Sequence, residues 1–323
     1  MSDIRSRLFK SPRLAALGLL SVAMIWGATF VLTHKTLEDF PVFAFLGWRF
    51  MVATLAFGII FIKPLSRALK NLHRPSLHTA LAAGVFLALG YIFQTFGLIP
   101  ASLGGTTPAR AAFITGMYVV LVPLGQFIVH RQVPRIGLGI GIVAAMMGLW
   151  FLSGLGSESG QSYWVWGDSM VLVCSVAYTV HMLILGRADE SYNTVLLTFI
   201  QLVIVMVICA SMSIVTQEGA PFPRGFDIWF AILVCGVFAS AYAFVIQTWA
   251  QQVMAPTRVA LILVSEPAFG GLFGWMAMGH VLRHELVGSL FMLGAMVISE
   301  RWGSNREEGD PSLEGPAVLI EEK

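Results

Sequence analysis

Gln94-Thr95-Phe96, followed by Pro108-Ala109-Arg110-Ala111-Ala112, returns later in the chain as Gln247-Thr248-Trp249, followed by Pro256-Thr257-Arg258-Val259-Ala260. The two copies keep their order. The interval from Gln to Pro is five residues longer in the first copy, where 101–107 supplies a Ser/Gly/Thr loop. Both copies lie in long apolar runs. A membrane chain made of two related halves, each with polar groups at a corresponding place, reads first as a transporter.

Composition supports a lipid solvent. The chain is 57% hydrophobic and only 12% charged, against roughly 25% charged in a soluble domain. So little charge cannot cover a water-facing surface. The 323 residues suit one bundle of many spans, with no large soluble domain. Cys174, Cys209 and Cys235 fall in apolar segments without CxxC or Cys/His spacing, which supports neither a metal site nor a disulfide framework. No GxxxxGK[ST] loop, HExxH or Gly-x-Ser-x-Gly elbow occurs, so the chain does not read as an ATPase or another enzyme, and no cofactor is expected. Basic residues gather at the edges of apolar runs without interleaved aromatics, which argues against nucleic acid as a partner.

A helix crosses the hydrocarbon in about 20 apolar residues. Ten segments qualify: 14–33, 41–62, 78–99, 108–129, 136–154, 164–186, 195–215, 228–249, 256–279 and 285–300. They do not alternate as barrel strands would, and lipid demands that each segment pair its own backbone, so the expected class is an all-α integral membrane protein. The expected order is a basic N-terminus 1–13, a first repeat 14–154, a linker 155–163, a second repeat 164–302 and a disordered tail 303–323. Five spans per half is an odd number, so the second half enters inverted. Lys and Arg set the orientation. With the N-terminus inside, the cytoplasmic ends hold fourteen basic residues, among them Lys63, Arg67, Lys70 and Arg74, while outer loops hold Lys35, Arg224 and Arg283. Both termini are therefore expected in the cytoplasm.

Charge within lipid costs about 2.5–3.5 kcal/mol on insertion scales, so each such residue needs a partner, a wet cavity or a task. Glu266, directly before Pro267, reads as the one carboxylate deep in a span. It is either a substrate or proton site in a central cavity or a buried carboxylate paired with a helix end. Burial in general disfavours a charged carboxylate, which suits proton coupling. Arg49 either attracts an anionic substrate near the outer mouth or pairs with Glu38 or Asp39, and its counterpart in the second half is Gln201. Arg110 and Arg258 stand in first helical turns, against the dipole, and read as structural anchors that snorkel to headgroups or hold a loop. Gln94 and Gln247 are mid-span amides suited equally to helix packing and to substrate. Tyr91, Tyr118, Tyr242 and Trp249 offer aromatic walls to a cavity, or packing. His181 is a core histidine or a proton site. Pro123 and Pro267 interrupt the fourth helix of each half, as kinks or gates.

Trp26-Gly27-Ala28-Thr29-Phe30, Phe45-Leu46-Gly47-Trp48-Arg49-Phe50, Phe113 to Pro123 and Ser265-Glu266-Pro267 resemble the EamA-type family of drug/metabolite transporters. Gly167-Asp168 is similar to the start of that family's second domain. The resemblance covers about 14–302. It implies two domains in an inner membrane, alternating access, and export or exchange of small metabolites, often amino acids. The family often carries a Gly-Glu pair after the ninth helix; here Gly279 precedes His280, and the equivalent place in the first half is Gln132.

The expected function is a secondary transporter or facilitator for small polar metabolites, with Glu266, Gln94, Gln247, Tyr118 and Trp249 around a mid-membrane cavity. Its partners are a small-molecule substrate and the lipid bilayer, with a coupled proton and a homodimer both compatible with the sequence. The rival is a non-transporting receptor or assembly factor on the same scaffold.

Overall fold

Backbone groups solvated by lipid must pair within their own segment, and the computed structural model meets that demand with helices alone. It describes residues 11–70, 74–130, 136–152, 164–188, 192–216, 218, 221–270 and 283–303, with no strand among them. The helices are α1 (Pro12–Thr36), α2 (Val42–Ile60), α3 (Ile62–Lys70), α4 (Arg74–Gly97), α5 (Pro108–Thr115), α6 (Tyr118–His130), α7 (Ile136–Leu152), α8 (Trp166–Leu185), α9 (Thr194–Val215), α10 (Phe226–Val253), α11 (Pro256–Leu263) and α12 (Arg283–Gly303).

Seven helical stretches are long and apolar enough to cross a membrane: α1, α2, α4, α5 with α6, α8, α9 and α10. The other three expected segments differ. The fifth is a shorter apolar helix, α7. The ninth is α11 and five helical residues, 266–270, and the rest of it lies outside the described residues. The tenth, α12, carries Arg283, Glu285, Glu300 and Arg301 at its ends. The basic stretch before residue 11, the linker 155–163, residues 304–323, Gln132, Gly279 and His280 also lie outside the described residues.

Capping starts several helices where the sequence supplies it. Ser11 accepts from the Leu14 N–H ahead of Pro12, Thr107 accepts from Arg110 N ahead of Pro108, and Asn193 accepts from Leu196 N. The stretch between the second and third expected spans is also helical. In α3, Leu65 and Ala68 are buried against Leu196, while Lys63, Arg67 and Lys70 face outward. Pro64 is tolerated there because it falls in the first turn. The amphipathic pattern suits a helix lying along the membrane surface.

The two Pro-x-Arg-x-Ala motifs start α5 and α11, and both helices break at the same interval. The first is interrupted at 116–117, where Met117 N–H donates to Ile114 O at 3.2 Å. The second is interrupted at 264–265, where Ser265 N–H donates to Ile262 O at 3.2 Å. This corrects the reading of the prolines as the points of interruption. Pro123 lies inside the continuous helix α6, and Pro267 follows its break. Proline at 123 removes one intrahelical donor without ending the helix, because the neighbouring turns hold it.

Helix pairing crosses the sequence midpoint. The most extensive pairs are α7 with α12, α4 with α8, α9 with α2, and α10 with α1. Then come α9 with α4, α10 with α2, and α6 with α8, and α11 also packs on α1. Small residues make these approaches close. A Cβ on Gly27 of α1 would sit 2.5 Å from the Glu266 carbonyl and 2.7 Å from the Gly270 nitrogen. Gly27 therefore lets the segment after the second break lie directly on α1.

An ion pair ties α5 to α8. Arg110 Nη2 meets Asp168 Oδ2 at 2.6 Å, and both side chains are buried. Asp168 also accepts from Thr106 Oγ1 at 2.6 Å and from Val165 N–H at 2.9 Å. Gly167 N–H donates to Gly104 O at 2.9 Å, so the loop ahead of α5 is stitched to the first turn of α8. Of the two anchoring roles read for Arg110, snorkelling to headgroups or holding a loop, snorkelling is not what the structure shows, because a buried carboxylate stands in place of the headgroups. Arg258 is likewise buried at the third position of α11 rather than reaching outward.

A polar cavity walled by both halves

The middle of α10 is a π-helical stretch, Val234–Tyr242. Such widened turns often accompany functional sites. Here the stretch presents Ala239 and Ser240 to α1 and α2. Arg49 Nε donates to Ser240 Oγ at 3.0 Å, and Trp26 Nε1 donates to the Ala239 carbonyl at 2.8 Å. Ser240 Oγ in turn donates to Cys235 O, five residues back, at 2.9 Å. Gly236 permits the contact, since a Cβ there would meet the Arg49 carbonyl at 2.8 Å.

Arg49 is thus held from two sides. Its Nη2 donates to Tyr91 Oη at 3.2 Å, and its guanidinium carbon lies 4.6 Å from the Tyr91 ring centroid, a cation–π distance. Arg49 is 4% exposed and has no carboxylate within ion-pair distance among the described residues. It does not pair with Glu38 or Asp39.

Arg49 opens on a small cavity of about 50 Å³. Aromatic rings crowd it. Tyr91 meets Tyr178 and Phe244 edge-on, at 5.8 and 5.9 Å between centroids, and Trp26 lies 5.9 Å from Phe244. The walls come from α1, α2, α4, α8 and α10 and from both broken helices.

The two breaks contribute equivalent residues. Tyr118 is the first helical residue after the first, and Glu266 the first after the second. Each stands ten positions beyond its motif proline. Both line the cavity, with Thr115 from the end of α5 beside them. Glu266 is 8% exposed, and its carboxylate has no hydrogen-bonding partner among the described residues. The nearest opposite charge facing the cavity is Arg49.

The amides take different roles. Gln94 Nε2 donates to Thr115 Oγ1 at 3.4 Å, a long contact. Gln247 Nε2 donates to Gln251 Oε1 at 3.3 Å, while its own Oε1 is buried without a partner among the described residues. A buried acceptor left unpaired is costly, so this one is suited to a donor brought by a ligand. His181 supplies another acceptor. Gln201 Nε2 donates to the Leu197 carbonyl at 3.0 Å, which turns Gln201 Oε1 toward His181 Nε2 at 2.8 Å. That geometry puts the ring hydrogen on Nε2 and leaves Nδ1 as a lone pair in a ring that lines the cavity.

The structure therefore brings Arg49, Gln94, Tyr118, Gln247 and Glu266 to one cavity. Trp249 is not there. It packs beside Gly18 of α1, with ring carbon Cζ3 3.6 Å from where a Cβ would stand. Two residues beyond Gln247 is about 200° around the helix, so a shared cavity face was excluded by geometry. Tyr242 also faces away, with its hydroxyl 2.8 Å from Ser21 Oγ. Pro123 does not reach the cavity. Sequence reasoning missed Tyr178 and Phe244 as wall residues and took Asp168 only as a marker of a helix start. Asp168, at the third position of a helix, reads as an acid favoured by the helix dipole, which hides its pairing with Arg110.

The sequence matches the model of the EamA-like transporter family twice, over residues 13–154 and 165–300. An uncharacterized transporter of Archaeoglobus fulgidus is 29% identical over 285 residues, spanning 88% of this chain and 85% of its own length. The uncharacterized transporter YoaV of Bacillus subtilis is 21% identical over 284 residues, spanning 87% of this chain and 93% of its own. One solved crystal structure of a protein superposes with a TM-score of 0.74 at 17% identity, covering 93% of this chain and all of that one. That likeness is one of fold alone.

Proposed function

From the premise that this chain belongs to the EamA-like transporter family and is a multi-pass membrane protein, we propose that it is a secondary transporter or facilitator. It moves small polar metabolites, amino acids or related compounds, by alternating access around the Arg49–Glu266 cavity. The observation that carries this reading is a guanidinium and a carboxylate, neither ion-paired among the described residues, facing one aromatic-walled space within apolar helices. Such groups are retained in lipid when a ligand or water completes them.

The proposed architecture is ten helices in two inverted repeats of five. Pairing α1 with α8, α2 with α9, α4 with α10, and α5–α6 with α11 and 266–270 matches every extensive contact with a counterpart. Thus α4 on α8 answers α10 on α1, and α9 on α4 answers α2 on α10. The equivalent breaks support the same pairing, as interrupted helices do around transporter sites. Arg49 receives the anionic end of a substrate. Gln247 Oε1, Glu266 and His181 Nδ1 receive its donors. Glu266 is the proposed proton-coupling group. The proposed location is the inner membrane with both termini in the cytoplasm.

The test is flux in liposomes that contain only the purified protein, loaded with a mixture of labelled amino acids. Saturable counterflow of one or more of them is expected. Its absence across broad metabolite mixtures, with the protein folded and oriented, returns the function to a receptor or assembly factor.

A further inference from the structure

A second concavity lies on the opposite side of α1 from the cavity. It is a groove between α1 and α10, lined by Met24, Ala28 and Val31 on one side and Phe230, Val234 and Phe238 on the other. Its lining is almost wholly apolar, and Lys35 closes one end. Val31, Phe230 and Phe238 are about half exposed. These helices qualify as spans, so what covers the groove is hydrocarbon rather than water.

Three observations select the occupant. The π-helical stretch of α10 contributes Val234 and Phe238, so the groove is formed by a local irregularity and is not the flat flank of two regular helices. From Met24 to Lys35 is eleven residues, about 16 Å of helix at 1.5 Å per residue. That is close to half of a hydrocarbon core about 30 Å thick. Lys35 lies in the last turn of α1, exposed, at the end where α10 begins. A cation at one end and an apolar trough one leaflet long fit a phosphate headgroup with one acyl chain.

We infer that the α1–α10 groove is a phospholipid site, with an acyl chain along Ala28, Val31 and Phe238 and the headgroup phosphate on Lys35. Thr29 borders both this groove and the polar cavity. One helix thickness thus separates the lipid chain from the substrate space, and the bound chain braces that wall.

The test is native mass spectrometry of the full chain, reconstituted in vesicles of phosphatidylglycerol and phosphatidylcholine and then extracted in mild detergent. Wild-type protein should retain one phospholipid. Lys35→Glu should lower retention about tenfold, since the reversed charge both loses the attraction to the phosphate and repels it. Ala28→Trp, which fills the trough, should abolish retention. Val143→Trp, on an exposed position of α7, should leave it unchanged. Equal retention by the Ala28 and Val143 variants, or no effect of Lys35→Glu, overturns the proposal. If Ala28→Trp fails to give a monodisperse protein, Lys35→Glu decides alone.

Discussion

Replacing Asp168 with Ala should destabilise the protein far more than its place at a helix end suggests. The carboxylate has no exposed surface and accepts from Arg110 Nη2 and Thr106 Oγ1, both at 2.6 Å, and from Val165 N–H at 2.9 Å. Removing one partner of a buried ion pair costs about 3–5 kcal/mol, because the remaining charge stays out of water. A stability loss of that size corresponds to a fall in melting temperature of roughly 10 °C for a chain of this class. Thermal unfolding in detergent, followed by tryptophan fluorescence, measures it. Asp168→Asn should fall between Ala and wild type, since the amide still accepts a hydrogen bond but no longer balances the charge. The double change Arg110→Met with Asp168→Leu should recover most of the loss, as apolar replacement of a buried pair often does. A melting temperature for Asp168→Ala within about 2 °C of wild type would refute the reasoning, since it would mean that the Arg110 charge is satisfied without its carboxylate.

Four further outcomes follow from the cavity and its walls. Gly27→Ala should cost about 1–3 kcal/mol of stability and displace Glu266, because the new methyl meets a carbonyl at 2.5 Å; unchanged melting and flux would contradict that contact. Arg49→Lys should raise the half-saturation concentration of flux about tenfold or more, since an ammonium cannot hold Ser240 and Tyr91 as the guanidinium fork does. Glu266→Gln should remove the pH dependence of flux while leaving the protein folded, and a retained pH profile would assign proton coupling elsewhere. Tyr118→Phe should lower flux several-fold, whereas Trp249→Phe should leave it within about twofold, because only Tyr118 faces the cavity.

Much of the helical plan was legible because apolar length and proline punctuation act locally. The repeated Pro-x-Arg-x-Ala motif located two helix starts, and the isolated charges Arg49 and Glu266 pointed to the cavity because lipid penalises charge that has no role. What escaped was what neighbours decide. The break at 116–117 needs no proline, and beside it Ser175 of α8 donates to the Thr115 carbonyl at 3.1 Å. The π-helical stretch has no residue signature in Val234–Tyr242. α3 escaped because its apolar face, Leu65 and Ala68, is too short to stand out among charges. Trp249 was misplaced by counting proximity along the chain instead of angle around the helix. The partner of Arg110 was missed because Asp168 is 58 residues away and only the fold brings the two together.

The cross-midpoint pairing has a consequence for biogenesis. During synthesis, α1, α2 and α4 leave the translocon before α10, α9 and α8, their most extensive partners, have been made. Until then Arg49 has neither Ser240 nor the Ala239 carbonyl, and Arg110 lacks Asp168. The nascent first half therefore waits in the bilayer with Arg49 short of its Ser240 contact and Arg110 short of its carboxylate, a state in which insertase or chaperone contact is most needed. Two separately expressed halves should each be short-lived and should persist only when made together.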